Sequence, residues 1–134
     1  MDKLLKSHYE ATLKRISEEK IILVVQDTTT VNYSAHPLTE GIGPISPKSD
    51  GVVGLLLHDS MAFNLAGTPL GLLDVQCWAR DPKQFGKRQF RHELSIEHKE
   101  SQKWLKSFNK VIEAKKRFPN TTLISVADRE ARYL

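Results

Sequence analysis

The sequence predicts an α/β fold built on a mixed sheet, and three features carry that prediction. Two short apolar runs, Ile21 to Val25 and Thr121 to Ala127, are rich in β-branched residues and each leads into an aspartate, Asp27 and Asp128. Ahead of the second run, Trp104, Leu105, Phe108, Val111 and Ile112 recur at helical spacing with lysines opposite. Between the two runs, strand-like stretches flank the turn Ala66-Gly67-Thr68-Pro69, which reads as a hairpin.

Taken in order, residues 3–20 read as an amphipathic helix with Asp2 as its candidate cap and Leu5, Thr12, Leu13 and Ile16 toward one side. Ile21 to Val25 is too short and too β-branched for an independent helix, and a continuous apolar run fits a central strand covered on both faces. Residues 32–51 hold Pro37, Gly41, Gly43, Pro44, Pro47 and Gly51 and read as one long loop, a length often tied to function. Val52 to Leu57, continuing through Phe63, is the second strand and Leu70 to Trp78 the third. Pro82 and Gly86 break the stretch 80–93. A helix follows, Pro119-Asn120 ends it, and the fourth strand, Thr121 to Ala127, can lie parallel to the first through a right-handed helical crossover. In that sheet Asp27 and Asp128 emerge at one edge of adjacent strands, where ligands of open α/β sheets bind.

Composition narrows the class. A chain of 134 residues fits one domain that buries roughly two thirds of its unfolded surface. No run reaches the roughly 18 apolar residues a membrane span needs, and the charged, polar first residues do not form a secretory signal. The single cysteine, Cys77, excludes an internal disulfide and any multi-cysteine zinc site, so a reduced, cytoplasmic setting is expected. With 20 bases against 16 acids the net charge is +4, a weak lean toward acidic partners. The bases cluster: Arg80, Lys83, Lys87, Arg88 and Arg91 face only Asp81, and Lys103, Lys106, Lys110, Lys115, Lys116 and Arg117 follow. Either cluster alone reads equally well as a solvated surface.

Each candidate also has a plainer reading. Asp27 could be a turn former and Asp128 a helix cap; their convergence on parallel strands favours a shared divalent cation, because two carboxylates otherwise repel. Such a pair around a cation is what metal-dependent phosphoryl transfer requires. Gly41 to Ser49 has a Lys-Ser ending, but Pro44 and Pro47 remove the N–H groups that would cradle phosphate. His58 reads as a core or edge histidine, His92 and His98 lack metal-ligand spacing, and neither Ser60 nor Cys77 has a nucleophile-elbow context.

Several stretches together carry a resemblance. They are Gln26-Asp27-Thr28-Thr29, His36-Pro37 with Gly41-Ile42-Gly43-Pro44-Ile45, Gly54-Leu55-Leu56-Leu57-His58 and Pro69-Leu70-Gly71-Leu72-Leu73. Trp78-Ala79-Arg80, Glu100-Ser101-Gln102-Lys103-Trp104 and Asp128-Arg129-Glu130 complete the set. In order and spacing the chain resembles the amino-terminal half of the catalytic domain of bacterial insertion-sequence DDE transposases, in the cut-and-paste branch whose ribonuclease-H-like sheet carries a β insertion.

The resemblance implies a truncated ribonuclease-H-like mixed sheet: a three-strand meander, a helix crossover and a parallel fourth strand. It implies Asp27 and Asp128 as the first two acids of the triad, holding Mg²⁺ with Mn²⁺ as a substitute. It implies cleavage and strand transfer on duplex DNA, at transposon ends and target, in the bacterial cytoplasm beside the nucleoid. Arg80, Lys83, Lys87, Arg88, Arg91 and Lys103 become expected DNA contacts, blind to base sequence. The DNA-recognition region, the β insertion and the third acid, a Glu, are expected outside residues 1–134, and Glu130, two residues after Asp128, does not replace that Glu. The fragment alone is therefore expected to be inactive, and to self-associate or join an intact transposase. Two alternatives stay open: a non-catalytic interaction module that joins or inhibits an intact transposase, and a basic nucleic-acid-binding domain.

Overall fold

The computed structural model describes residues 2–36, 38–46, 51–82, 102–128 and 131. Its elements are α1 (Asp2–Ile16), β1 (Ile21–Asn32), β2 (Gly43–Pro44), β3 (Val53–Asn64), β4 (Pro69–Trp78), α2 (Gln102–Arg117) and β5 (Thr122–Val126). The five strands form one mixed sheet in the order β2-β3-β1-β5, with β4 also paired to β3. The expected hairpin is therefore present as β3–β4. Asn64 closes it, its N–H bonding to Thr68 O and its side-chain oxygen accepting from the Ala66 and Thr68 N–H groups. The expected parallel strand is present too: β5 lies along β1 with Ile21 level with Thr122 and Val25 level with Val126.

Two compact units divide the described residues, one within 1–27, 59–75 and 100–134, the other within 28–58 and 76–99. The core of the first gathers Ile16 from α1, Ile22 and Val24 from β1, Ala62 from β3, Leu70 and Leu73 from β4, and Val111 and Ala114 from α2. In the second, Gly43 and Gly54 pair across β2 and β3. A side chain at Gly43 would meet the Arg80 carbonyl oxygen, and one at Gly54 the Val31 carbonyl oxygen, so close backbone approach demands glycine at both.

Several expectations need correction. The first helix ends at Ile16 instead of residue 20. There the Ser17 hydroxyl bonds back to Lys14 O, and Glu18 and Glu19 close tighter three-residue turns. The loop 32–51 is not wholly irregular, since it contributes β2. Strand β1 continues past Val25 to Asn32, so Asp27 sits within it and not at its end. Thr28 to Val31 are all β-branched and remain paired to β3, as the Tyr33 N–H to Val53 O bond shows.

Nor, among the described residues, is β1 covered equally on both faces. Its burial alternates: Ile22, Val24 and Gln26 are buried, whereas Ile21 and Asp27 are exposed. Core residues from both α1 and α2 pack with Ile22 and Val24, which are adjacent on one face of the strand. On α2 the inward stripe is Trp104, Ser107, Val111 and Ala114, while Leu105, Phe108 and Ile112 stay more than a third exposed. Two small residues, Ser107 and Ala114, let that side of the helix approach closely, and the Ser107 hydroxyl donates to Asp74 Oδ2 at 2.7 Å.

Candidate functional site

Counting along the strands shows what faces what. Two residues beyond the last level pair, Val25 and Val126, come Asp27 and Asp128, both exposed; Asp27 is at odd steps from the buried Ile22 and Val24, and Asp128 lies two residues past the end of β5. The β1–β3 pairing adds a third carboxylate. From the Tyr33 to Val53 bond, five residues back along β1 and five on along β3 reach Thr28 and His58, whose Oγ1 and Nδ1 lie 2.9 Å apart. One step further sets Asp27 opposite Asp59. Burial and, after it, the Asp27 carboxylate raise the Asp59 carboxyl above its ordinary value.

Alternation then separates two chemistries. On the open side stand Asp27 and Asp59, with Asp128 following from β5. On the core side, Gln26 and Ser60 are almost wholly buried, and Gln26 Nε2 donates to Ser125 Oγ at 2.9 Å. That bond ties β1 to β5 one residue before Asp27, in the stretch that sets the level of the two aspartates. His58 is fully buried on Thr28, as a core histidine should be. Among the described residues, no group of three or more His, Cys, Asp or Glu side chains is close enough to enclose a metal ion.

Of the expected DNA contacts, Lys83, Lys87, Arg88 and Arg91 lie outside the described residues, as does Glu130. Arg80 is half-buried, and its guanidinium donates to Ile45 O at 3.3 Å, so the stretches Trp78-Ala79-Arg80 and Gly41 to Ile45 meet within one unit. Lys103 Nζ lies 5.5 Å from the centre of the Trp104 ring. Much of the second basic group has structural work. Lys110 pairs with Glu113 at 3.0 Å, Lys115 caps Pro119 O and Thr121 O, and Arg117 lies over Phe118.

Asp59 is the functional candidate that the sequence analysis missed. The signal was present as its place in the alternating run Leu55 to Phe63, but only the β1–β3 register sets it opposite Asp27. Among the described residues, no helix is long and apolar enough to cross a membrane. No protein-family model matches this chain, and no curated protein matches it.

Proposed function

We propose that these residues form the part of a ribonuclease-H-like DDE transposase catalytic domain that carries its first two acids, Asp27 and Asp128. The observation that carries this reading is the parallel β1–β5 register, whose last level pair, Val25 and Val126, stands two residues before Asp27 and Asp128. The strand order, with β3 and β4 as a hairpin beside β1 and β5 parallel on its other side, also supports it. The chemistry of the donor set fits a divalent cation: Asp27 and Asp59 repel each other, and a cation relieves that repulsion. Asp27 and Asp128 would hold Mg²⁺ or Mn²⁺, with Asp59 beside Asp27. Once bound, the ion would supply Lewis acidity toward a phosphodiester and its attacking water. The chain's own contribution is placement, through the Gln26–Ser125 bond, and attraction of DNA phosphates by Arg80 and the bases after it.

Thermal melting with added Mn²⁺ tests the site. A rise in melting temperature is expected by mass action, lost in Asp27→Asn and in Asp128→Asn. A rise that both variants keep would move the site elsewhere. For the DNA arm, replacing Lys87, Arg88 and Arg91 with Ala should flatten the slope of log K against log salt by about one unit per lost phosphate contact. An unchanged slope would leave these residues as ordinary surface. The open apolar side of β1 and β5 favours a second reading, an interaction module without catalysis, and that reading predicts no Mn²⁺ effect.

A further inference from the structure

On the core side, three neighbouring strands change from apolar to polar at the same step. Toward the acid end, Ile22 and Val24 of β1 are followed by Gln26, Ala62 of β3 by Ser60, and Leu123 of β5 by Ser125. The register that sets Asp27 opposite Asp59 also sets Gln26 opposite Ser60 and Val24 opposite Ala62. Val24 and Ala62 are fully buried in one core, as that register requires. Ser125 stands level with Val24.

The hydrogen bonds of this polar layer are incomplete. Gln26 is 4 % exposed and Ser60 0 %. Gln26 Nε2 donates to Ser125 Oγ at 2.9 Å, which fixes the carboxamide. Gln26 Oε1 and Ser60 Oγ, buried on opposed residues, have no hydrogen-bond partner among the described residues. Turning the carboxamide over exchanges Nε2 with Oε1 and still leaves one of them unmet. Buried polar groups are nearly always bonded, by protein or by ordered water, because an unmet one keeps its full desolvation cost. The buried Ser107 on α2 follows that rule through Asp74.

We propose that Gln26 and Ser60 hold one internal water, and that this bridged pair, with Ser125, is the positioning layer for the carboxylates on the opposite face. The chemistry of the two atoms selects water. Oε1 only accepts, the hydroxyl both donates and accepts, and a single water serves both at once. Both atoms are closed to solvent, so the occupant is small, and buried waters commonly bridge two to four such groups. The water then ties β1 to β3, and the Gln26–Ser125 bond ties β1 to β5. Asp27 follows Gln26 and Asp59 precedes Ser60, so the ties act one residue from each acid. Alternation turns those acids away from the layer, so its residues hold the strands and not the ion. The positioning role rests on the metal reading above; the water site does not.

Oxygen-17 relaxation dispersion on the full chain counts internal waters without any metal present. Ser60→Thr keeps the hydroxyl, whereas Ser60→Val puts a methyl group in its place; both add the same bulk, so the pair isolates the hydroxyl. The dispersion amplitude should fall by one water per chain in Ser60→Val and match the parent in Ser60→Thr. Gln26→Met, which keeps the side chain's length without its amide, should lose the same water. Mn²⁺ affinity, read by electron paramagnetic resonance, should weaken about tenfold in Ser60→Val, as when other groups that orient metal ligands are removed, and return in Ser60→Thr. Water counts equal to the parent's in both Ser60→Val and Gln26→Met overturn the water site. Equal Mn²⁺ affinity in Ser60→Val and Ser60→Thr overturns the positioning role while leaving the metal reading intact. A parent chain that binds no Mn²⁺ overturns the metal reading and the positioning role together.

Discussion

The two faces of β1 differ in what covers them. On one face Ile22 and Val24 are fully buried and share a core with residues of α1, β4 and α2. On the other, Ile21 is 36 % exposed, and Ile124 and Val126 on neighbouring β5 are more exposed still. Their amino acids are nearly the same, isoleucine and valine, so hydrophobicity does not separate them. The difference is which face the helices take, and residues from both helices join the same core. One strand therefore carries stability on one side. On the other it presents an apolar strip that ends in carboxylates, a surface suited to partners and ions.

The largest test of that contrast is a pair of isoleucines. Ile22→Ala should destabilise the monomer by about 3 kcal/mol, from lost burial and the cavity left behind. Ile124→Ala should cost less than about 0.5 kcal/mol under dilute conditions where the chain is monomeric. Urea unfolding measures both, and equal losses would mean that the open face is covered in solution.

A smaller effect, opposite in sign, is expected on the carboxylate side. The folded state holds the Asp59 proton more tightly than the unfolded chain does. The stability linked to that proton is fully present below the unfolded pKa and is lost as pH rises through the folded one. At neutral pH, Asp59→Asn should thus be more stable than the parent, by less than about 1 kcal/mol after solvent screening. The advantage should shrink as pH falls into the acid range, where Asp59 protonates. Melting curves at both pH values read the difference. A variant less stable than the parent at neutral pH would show that Asp59 is held by favourable contacts and not opposed by Asp27.

Much of this was legible locally. The spacing of Trp104 and Val111 gave α2, the turn after Asn64 gave the hairpin, and the β-branched runs gave β1 and β5. The parallel pairing of those two runs followed from reading them as neighbours joined by a helical crossover. Less of the site was visible. Leu105, Phe108 and Ile112 have the same helical period as the residues actually buried, and periodicity cannot say which of two overlapping stripes turns inward. Asp59 was hidden for a related reason: a strand's alternation shows that two faces exist, but not which residue of another strand lies opposite.

What the sequence determined by itself, then, is the type and order of the elements, because helical and strand periods and turn residues act over a few neighbours. What only the tertiary structure decided is the coverage of the sheet and the partners across it. Those depend on contacts between residues far apart in the chain, such as Ser107 with Asp74, Gln26 with Ser125 and Asp27 with Asp59. No local pattern encodes such pairs, since the same apolar residue is stable on either face until a helix settles on one of them.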